Sequence, residues 1–321
     1  MNTKRMQLAQ HNLRISDPGT SLAFYQDIIG MTLLAKRARG SETHYFLGFV
    51  EPGSEAAGVE AGLSHWQASC FLVLVHDPEC LSADVRKQPD SGEGYWKISI
   101  SVRDLDVARN RLIANSVQPD AARQVGDIAY LCHFDDPDGY CIELIQHDFL
   151  KNHEPEPENP IYRLGTCPSF LLVTYRVKDP LTSLRFYTEL LGMRLLSRQV
   201  VEAKGFTLYF LACTEESPPH FDVEHVDNRE WLWQRPYAMV ELQHVWGTEA
   251  EKDFAYRVGS ESGFDGISFE LNYMDEFLED IKGPAHNIET CEMDPILQTK
   301  TATIIDPDGF SIKLIDRSSS A

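Results

Sequence analysis

The stretch "RISDPGTSLAFYQDIIGMTLL" at residues 14–34 returns as "RVKDPLTSLRFYTELLGMRLL" at 176–196. A repeat of this length constrains architecture more than any single residue, because both copies must solve the same folding problem. In each copy an aspartate, Asp17 or Asp179, suits a helix N-cap, and the next residue, Pro18 or Pro180, is pre-set for the first helical position. Leu22, Tyr25 and Ile29 recur at helical spacing, as do Leu184, Tyr187 and Leu191. Gly30 and Gly192 fit the left-handed residue that ends a helix. An apolar strand follows, so the unit reads as strand, helix, strand, with further strands behind it.

A second pair repeats beside the first. "YWKISISVRDLD" at 95–106 lines up with "FDGISFELNYMD" at 264–275. Each leads through a helix-like segment to a tight turn and a strand, "DPDGYCIELI" at 136–145 and "DPDGFSIKLI" at 306–315. The two turns match, yet Glu143 in one strand becomes Lys313 in the other. Four modules result, two per half. Between the halves, "HDFLKNHEPEPENPIYRLGTCPSF" alternates Glu with Pro, which favours an extended, solvated linker. The expected organisation is an N-terminal domain over 1–147, a linker over 148–166 and a C-terminal domain over 167–321.

Composition narrows the partners. A formal charge of −20 repels nucleic acid and anionic membrane surfaces, so neither is expected, and a small-molecule ligand is. No stretch is long and apolar enough to span a bilayer, and the N-terminus lacks the apolar core of a signal peptide. Seven cysteines stand singly, without a CxxC. An odd, scattered set argues against a disulfide framework or a thiolate zinc site and for a cytoplasmic protein. Monomer and homodimer both remain open.

The motifs "TYRVKDPLTSLRFYTELLGMRLL", "FTLYFLACT", "VELQHVWGTE" and "IDPDGFSIKLI" together resemble lactoylglutathione lyase, glyoxalase I, of the vicinal oxygen chelate (glyoxalase/bleomycin resistance/dioxygenase) superfamily. The resemblance covers nearly all of 168–316 and, less closely, 8–49 and 94–146. It implies an α+β fold of four βαβββ modules in two tandem glyoxalase-like halves, whose curved sheets enclose metal-binding cavities. It also implies a divalent metal, zinc or nickel, that stabilises an enediolate as a Lewis acid. The glutamate after DPDG would move the proton.

Carried over position by position, that resemblance gives a broken ligand set. Gln10 and Leu172 fall at the first ligand position, Val73 and Glu241 at the second, Lys97 and Gly266 at the third, and Glu143 and Lys313 at the fourth. The metal candidates are therefore Gln10, Glu143 and Glu241. A protonated lysine has no lone pair for a metal, and leucine, valine and glycine side chains have no donor atom. Gln10 is expected to face the pocket with Asn12 and Arg14, and His11 to lie on the other face of the strand. Glu143 and Glu241 are the catalytic candidates. Lys97 and Lys313 are candidates for a pocket wall, where either could balance a buried carboxylate in place of a metal. Arg14 and Arg176 match an arginine that contacts the glutathione moiety in the family, a role an arginine fork suits. Val245 and Ser262 depart from other family positions around that conjugate. His44, His76, His133 and His244 form no HxH or HExxH pattern and read as ordinary.

The expected function is that of a diverged glyoxalase I-like protein. It would bind a small carbonyl compound or a thiol conjugate of one, with isomerase- or lyase-type proton transfer. The alternative is a non-catalytic binding or sequestering protein of the bleomycin-resistance type. An extradiol-dioxygenase reading needs two His and a carboxylate on iron, and no such set aligns.

Overall fold

The computed structural model describes residues 5–50, 71–79, 90–259, 263–281 and 288–317. Sixteen strands are present among them: β1 (Met6–Arg14), β2 (Thr32–Arg39), β3 (Glu42–Gly48), β4 (Phe71–His76), β5 (Tyr95–Val102), β6 (Arg123–Val125), β7 (Ala129–Asp135) and β8 (Cys141–Gln146), followed by β9 (Ser169–Arg176), β10 (Arg194–Val201), β11 (Phe206–Ala212), β12 (Met239–Val245), β13 (Phe264–Leu271), β14 (Ile288–Asp294), β15 (Thr299–Ile305) and β16 (Ser311–Asp316). Each module is a strand, a helix and three strands, so the four βαβββ units stand as expected.

The repeated helices begin as their sequences dictate. Asp17 accepts from the Thr20 amide at 2.6 Å, and Asp179 from the Leu181 amide at 3.0 Å. Both helices, Pro18–Ala23 and Pro180–Arg185, then widen into a π-helical turn, Phe24–Ile29 and Phe186–Leu190. Gly30 and Gly192 follow at φ 89° and 66°. The periodicity that predicts the helix does not distinguish α from π winding.

The modules assemble across the halves. One curled sheet runs β14-β15-β16-β13-β1-β4-β3-β2, and the other β10-β11-β12-β9-β5-β8-β7-β6. The first and fourth modules share one sheet; the second and third share the other. The joins are the antiparallel pairs β1 with β13 and β5 with β9. Each sheet buries one face, here the core face, in a single apolar cluster that draws on both sheets and on the module helices through Tyr25, Leu112, Tyr187 and Phe277. At its centre Tyr95 lies 4.6 Å from Phe264, and Tyr175 4.6 Å from Phe310, ring to ring.

The DPDG turns lock the sheets together. Asp138 accepts from the Ser16 amide at 3.0 Å and from the Ser21 hydroxyl at 3.1 Å, both in the opposite sheet's first module. Asp308 does the same for the Lys178 amide at 2.7 Å and the Ser183 hydroxyl at 2.8 Å. Asp136 and Asp306 hold the turns internally, each accepting from two backbone amides. The segment between the halves is exposed at 154–161 and anchored at its ends by buried Phe149 and Leu164.

Candidate functional site

The other face of each sheet is the site face. In the sheet of the second and third modules, alternation along β5 sends Ile98, Ile100 and Val102 to the core and Lys97, Ser99 and Ser101 to the site face. The same parity puts Glu143 of β8 and Glu241 of β12 there, each between two core residues. Register then sets two adjacent rows. His133, Glu143 and Ser99 stand side by side across β7, β8 and β5. Lys97, Thr174 and Glu241 stand side by side across β5, β9 and β12.

The Lys97 ammonium lies between the rows. Its Nζ is 2.5 Å from Glu143 Oε2 and 3.4 Å from Glu241 Oε2. Ser99 Oγ donates to Glu143 Oε2 at 2.7 Å, and Thr174 Oγ1 donates to Glu241 Oε2 at 2.7 Å. His133 Nε2 approaches Glu143 Oε1 to 2.9 Å but is not aligned as a hydrogen bond. All three charged groups are buried, with side chains 2–4% exposed.

Environment separates the two carboxyls. Burial works to raise both. At Glu143 the Lys97 charge and the His133 ring outweigh burial, and the group falls well below the ordinary range. At Glu241 burial wins over the more distant Lys97, the Glu143 charge adds to it, and the group rises. Burial opposes the charge on Lys97, but the two carboxylates outweigh it and raise its pKa. The result is an ionised Glu143, an ammonium and a Glu241 that takes up a proton more readily than Glu143 does.

Arg176 flanks this group. Its Nε donates to Gln243 Oε1 at 3.0 Å and its Nη1 to the Glu93 carbonyl at 2.6 Å, and its guanidinium lies 5.7 Å from the Trp96 ring centroid. No carboxylate among the described residues lies within ion-pair distance of it. Lys97 Nζ sits over the same Trp96 ring at 4.6 Å. Across the site face, Leu232 and Trp233 of the helix Asp227–Trp233 pack with Leu172, Phe210 and Met239. Ser101 donates to the Trp233 carbonyl at 2.6 Å, and Trp233 Nε1 to the Ile128 carbonyl at 3.0 Å, which fixes this helix over the sheet.

The site face of the other sheet is different in kind. Gln10 is inward, as parity suggests, and accepts from Ser268 Oγ at 3.2 Å. Val73 packs with Leu34, Ala35, Phe46 and Val75. Gly266 has φ 88° and no room for a side chain, since a Cβ would lie 2.0 Å from the Ser311 carbonyl oxygen. Lys313 is partly exposed and reaches Asp294 at 3.3 Å, a residue on β14 and not at a family ligand position. Arg14 is held by Asp265 at 2.9 Å and Glu42 at 3.1 Å. His11 points away from Gln10 into the core, stacked 5.2 Å from Phe264.

The structure thus brings Lys97, Glu143, Glu241 and Arg176 to one face and Gln10, Lys313 and Arg14 to the other. Ser99, Thr174 and the Asp227–Trp233 helix were not singled out in the sequence, and His133, read there as ordinary, stands 2.9 Å from Glu143. His133 carried a usable signal: in a hairpin closed by the DPDG turn, it is the direct cross-strand partner of Glu143. Trp233 carried none, because its segment falls between β11 and β12, outside every repeated motif. Ser262, Cys70 and Cys80 lie outside the described residues.

The donor chemistry at either face does not fit a divalent metal. At the first, Glu143 and Glu241 offer oxygens, but Lys97 stands between them as an ammonium and fully buried Leu172 has no donor. At the second, only Gln10 offers an oxygen at a ligand position. Among the described residues no group of three or more His, Cys, Asp or Glu side chains is arranged to hold a metal.

Comparison with known proteins places this arrangement. A sequence profile described as "Glyoxalase/Bleomycin resistance protein/Dioxygenase superfamily" matches residues 7–144 and 169–314. Glyoxalase I of Saccharomyces cerevisiae is 28% identical over 94% of this chain and 90% of its own length. Lactoylglutathione lyase of Pseudomonas aeruginosa is 35% identical over 44% of this chain and 79% of its own length. The crystal structure of glyoxalase I from Zea mays superposes with a TM-score of 0.68 at 20% identity, covering 98% of this chain and 93% of that one, which shows the shared fold.

Proposed function

The chain belongs to the glyoxalase/bleomycin resistance protein/dioxygenase superfamily, and we propose that it receives a small carbonyl compound, or a thiol conjugate of one, over Lys97, Glu143 and Glu241 and moves a proton on it. Relatives named as lactoylglutathione lyases support the substrate class. The observation that carries the chemistry is the pair of buried carboxyls held 2.5 and 3.4 Å from one ammonium, in surroundings that lower one and raise the other. Two carboxyls whose surroundings shift their proton affinities in opposite directions are the usual arrangement for acid–base work on one substrate. Glu143 is the base candidate and Glu241 the acid candidate. The Lys97 ammonium holds both in place and faces charge that develops on a carbonyl oxygen. Arg176, which no carboxylate among the described residues pairs, suits an anionic end of the ligand, with the Trp96 face beside it.

The test uses hemithioacetals formed from several 2-oxoaldehydes and several thiols. Binding is followed by ligand-observed NMR, and proton transfer by uptake of solvent deuterium at the carbon beside the carbonyl. Replacing Glu241 with Gln should leave binding in place and slow exchange on the order of 10²-fold or more. Binding without any exchange in the native protein would favour sequestration instead. Absence of binding across the series, or unchanged exchange in the Gln variant, refutes the proposal.

A further inference from the structure

We infer that the Lys97 ammonium is the resident cation of this site, held so as to exclude a divalent metal, and that the protein works there without one. The inference concerns the same site as the proton-transfer reading, but its readout is metal uptake, so the two can fail separately.

Three features of the geometry carry it. First, the space is taken. A zinc ion would need carboxylate oxygens at roughly 2.0–2.2 Å, and the position between the two nearest oxygens, Glu143 Oε2 and Glu241 Oε2, already holds Lys97 Nζ at 2.5 and 3.4 Å. A metal entering there would have to expel an ammonium from its only two carboxylate partners among the described residues, leaving a charge buried without compensation. Second, the same two oxygens are already engaged by hydroxyls. Ser99 donates to one and Thr174 to the other, each at 2.7 Å. These hydrogen bonds supply part of the compensation that a second positive charge would give. Third, the remaining position is apolar by construction. Leu172 is fully buried and packs with Leu171, Phe210, Trp233 and Met239, so no water or shifted side chain is needed to complete the site. A site that had merely lost a ligand would show an orphaned carboxylate; here both carboxylates have partners.

The reasoning can be run backwards. Lys97→His together with Leu172→Gln replaces the two non-ligands by an imidazole and an amide, giving two carboxylates, one imidazole and one amide on adjacent strands. Chelator-treated native protein and this variant are titrated with zinc, nickel and cobalt, with bound metal measured after gel filtration and Tm followed in parallel. The native protein should stay far below one metal per chain with no Tm change. The variant should take up one per chain and gain a few degrees in Tm on metal addition. If the variant does not fold, the native protein still decides. Stoichiometric uptake that disappears in Glu143→Gln overturns the inference, as does a folded variant that binds no metal. A further readout is the Lys97 side-chain resonance in 15N-lysine-labelled protein. It should report a protected ammonium that excess zinc leaves unchanged, and its displacement by zinc overturns the inference.

Discussion

Removing Lys97 and Glu143 together should cost clearly less than the sum of the two single losses. The pair is 3–4% exposed and 2.5 Å apart, with Glu241 a further 3.4 Å from the same nitrogen. Lys97→Met therefore strands two carboxylates in a region closed by Trp233 and Leu172. Breaking a buried pair from one side commonly costs about 3–5 kcal/mol. Glu143→Leu is milder, because Lys97 keeps Glu241 although it loses its nearer partner along with Ser99 and His133; a cost of about 1–3 kcal/mol is expected. In the double variant the remaining Glu241 keeps its Thr174 hydrogen bond and can hold a proton. The double loss should therefore fall short of the sum of the singles by roughly 2–3 kcal/mol. The assay is urea unfolding at neutral pH, followed by tryptophan fluorescence and circular dichroism so that coincident transitions check the two-state analysis. The penalty of Lys97→Met should shrink as pH falls, because the stranded carboxylates then take up protons. Additivity within about 0.5 kcal/mol would refute the coupling and reduce Lys97 to a residue that happens to lie near two glutamates.

Three other outcomes follow from particular residues. Burial lowers the pKa of His11 from 6.5 to about 3. The unfolded chain thus binds a proton that the folded one refuses, and stability falls as pH drops from 6.5 towards 3, by up to roughly 5 kcal/mol for this group; His11→Phe should flatten that part of the stability–pH curve, and an unchanged slope tells against it. Gly266→Ala should lower stability by about 2–4 kcal/mol, since its Cβ would meet the Ser311 carbonyl oxygen at φ 88°, whereas Gly40→Ala, with open space around it, should cost only the left-handed strain of about 1–2 kcal/mol; equal Tm shifts would show that crowding is not the cause. The methylglyoxal–glutathione adduct should turn over far below the ordinary enzyme median of about 10 per second, because the groups beside Glu143 and Glu241 are an ammonium and a buried leucine, Lys97 and Leu172, neither of which can hold a metal; initial rates followed by thioester absorbance check this.

Much of the fold was legible because its determinants are local and occur twice. Asp17-Pro18 and Asp179-Pro180 set helix starts, Gly30 and Gly192 set helix ends, and the DPDG turns set hairpins. Which module pairs with which was not legible. The β1–β13 and β5–β9 joins use backbone groups that any strand offers, so nothing in the side-chain pattern of β5 distinguishes β9 from another edge. The site was legible where the resemblance to glyoxalase I marks ligand positions, as for Lys97, Glu143 and Glu241, and strand parity then turns these to one face. His133 follows from hairpin register, a step beyond parity. Trp233 depends on how a segment without any repeat folds back over the sheet, and the sequence of that segment does not encode its docking place in a readable pattern.

The cross-half assembly gives the charge reversal between the two DPDG strands its meaning. Had each half closed on itself, Lys97 would have met Glu143 without Glu241, and Lys313 would have met Glu241. The observed pairing puts Lys97 with both glutamates and sends Lys313 to a face whose ligand positions hold Gln10, Val73 and Gly266. Lys313 therefore balances no family carboxylate; it lies partly in solvent and reaches Asp294, a residue of its own module. Lysine at two ligand positions thus has two different consequences. At Lys97 it is buried, doubly paired and tied to the only carboxylates at those positions. At Lys313 it is a partly exposed ammonium 3.3 Å from a buried Asp294 that the Ile296 and Leu297 amides also hold, so the carboxylate keeps partners without it. If this asymmetry is right, Lys313→Met should be nearly silent in the unfolding assay in which Lys97→Met is severe, and comparable losses for the two would mean that the faces are not specialised in the way their side chains indicate.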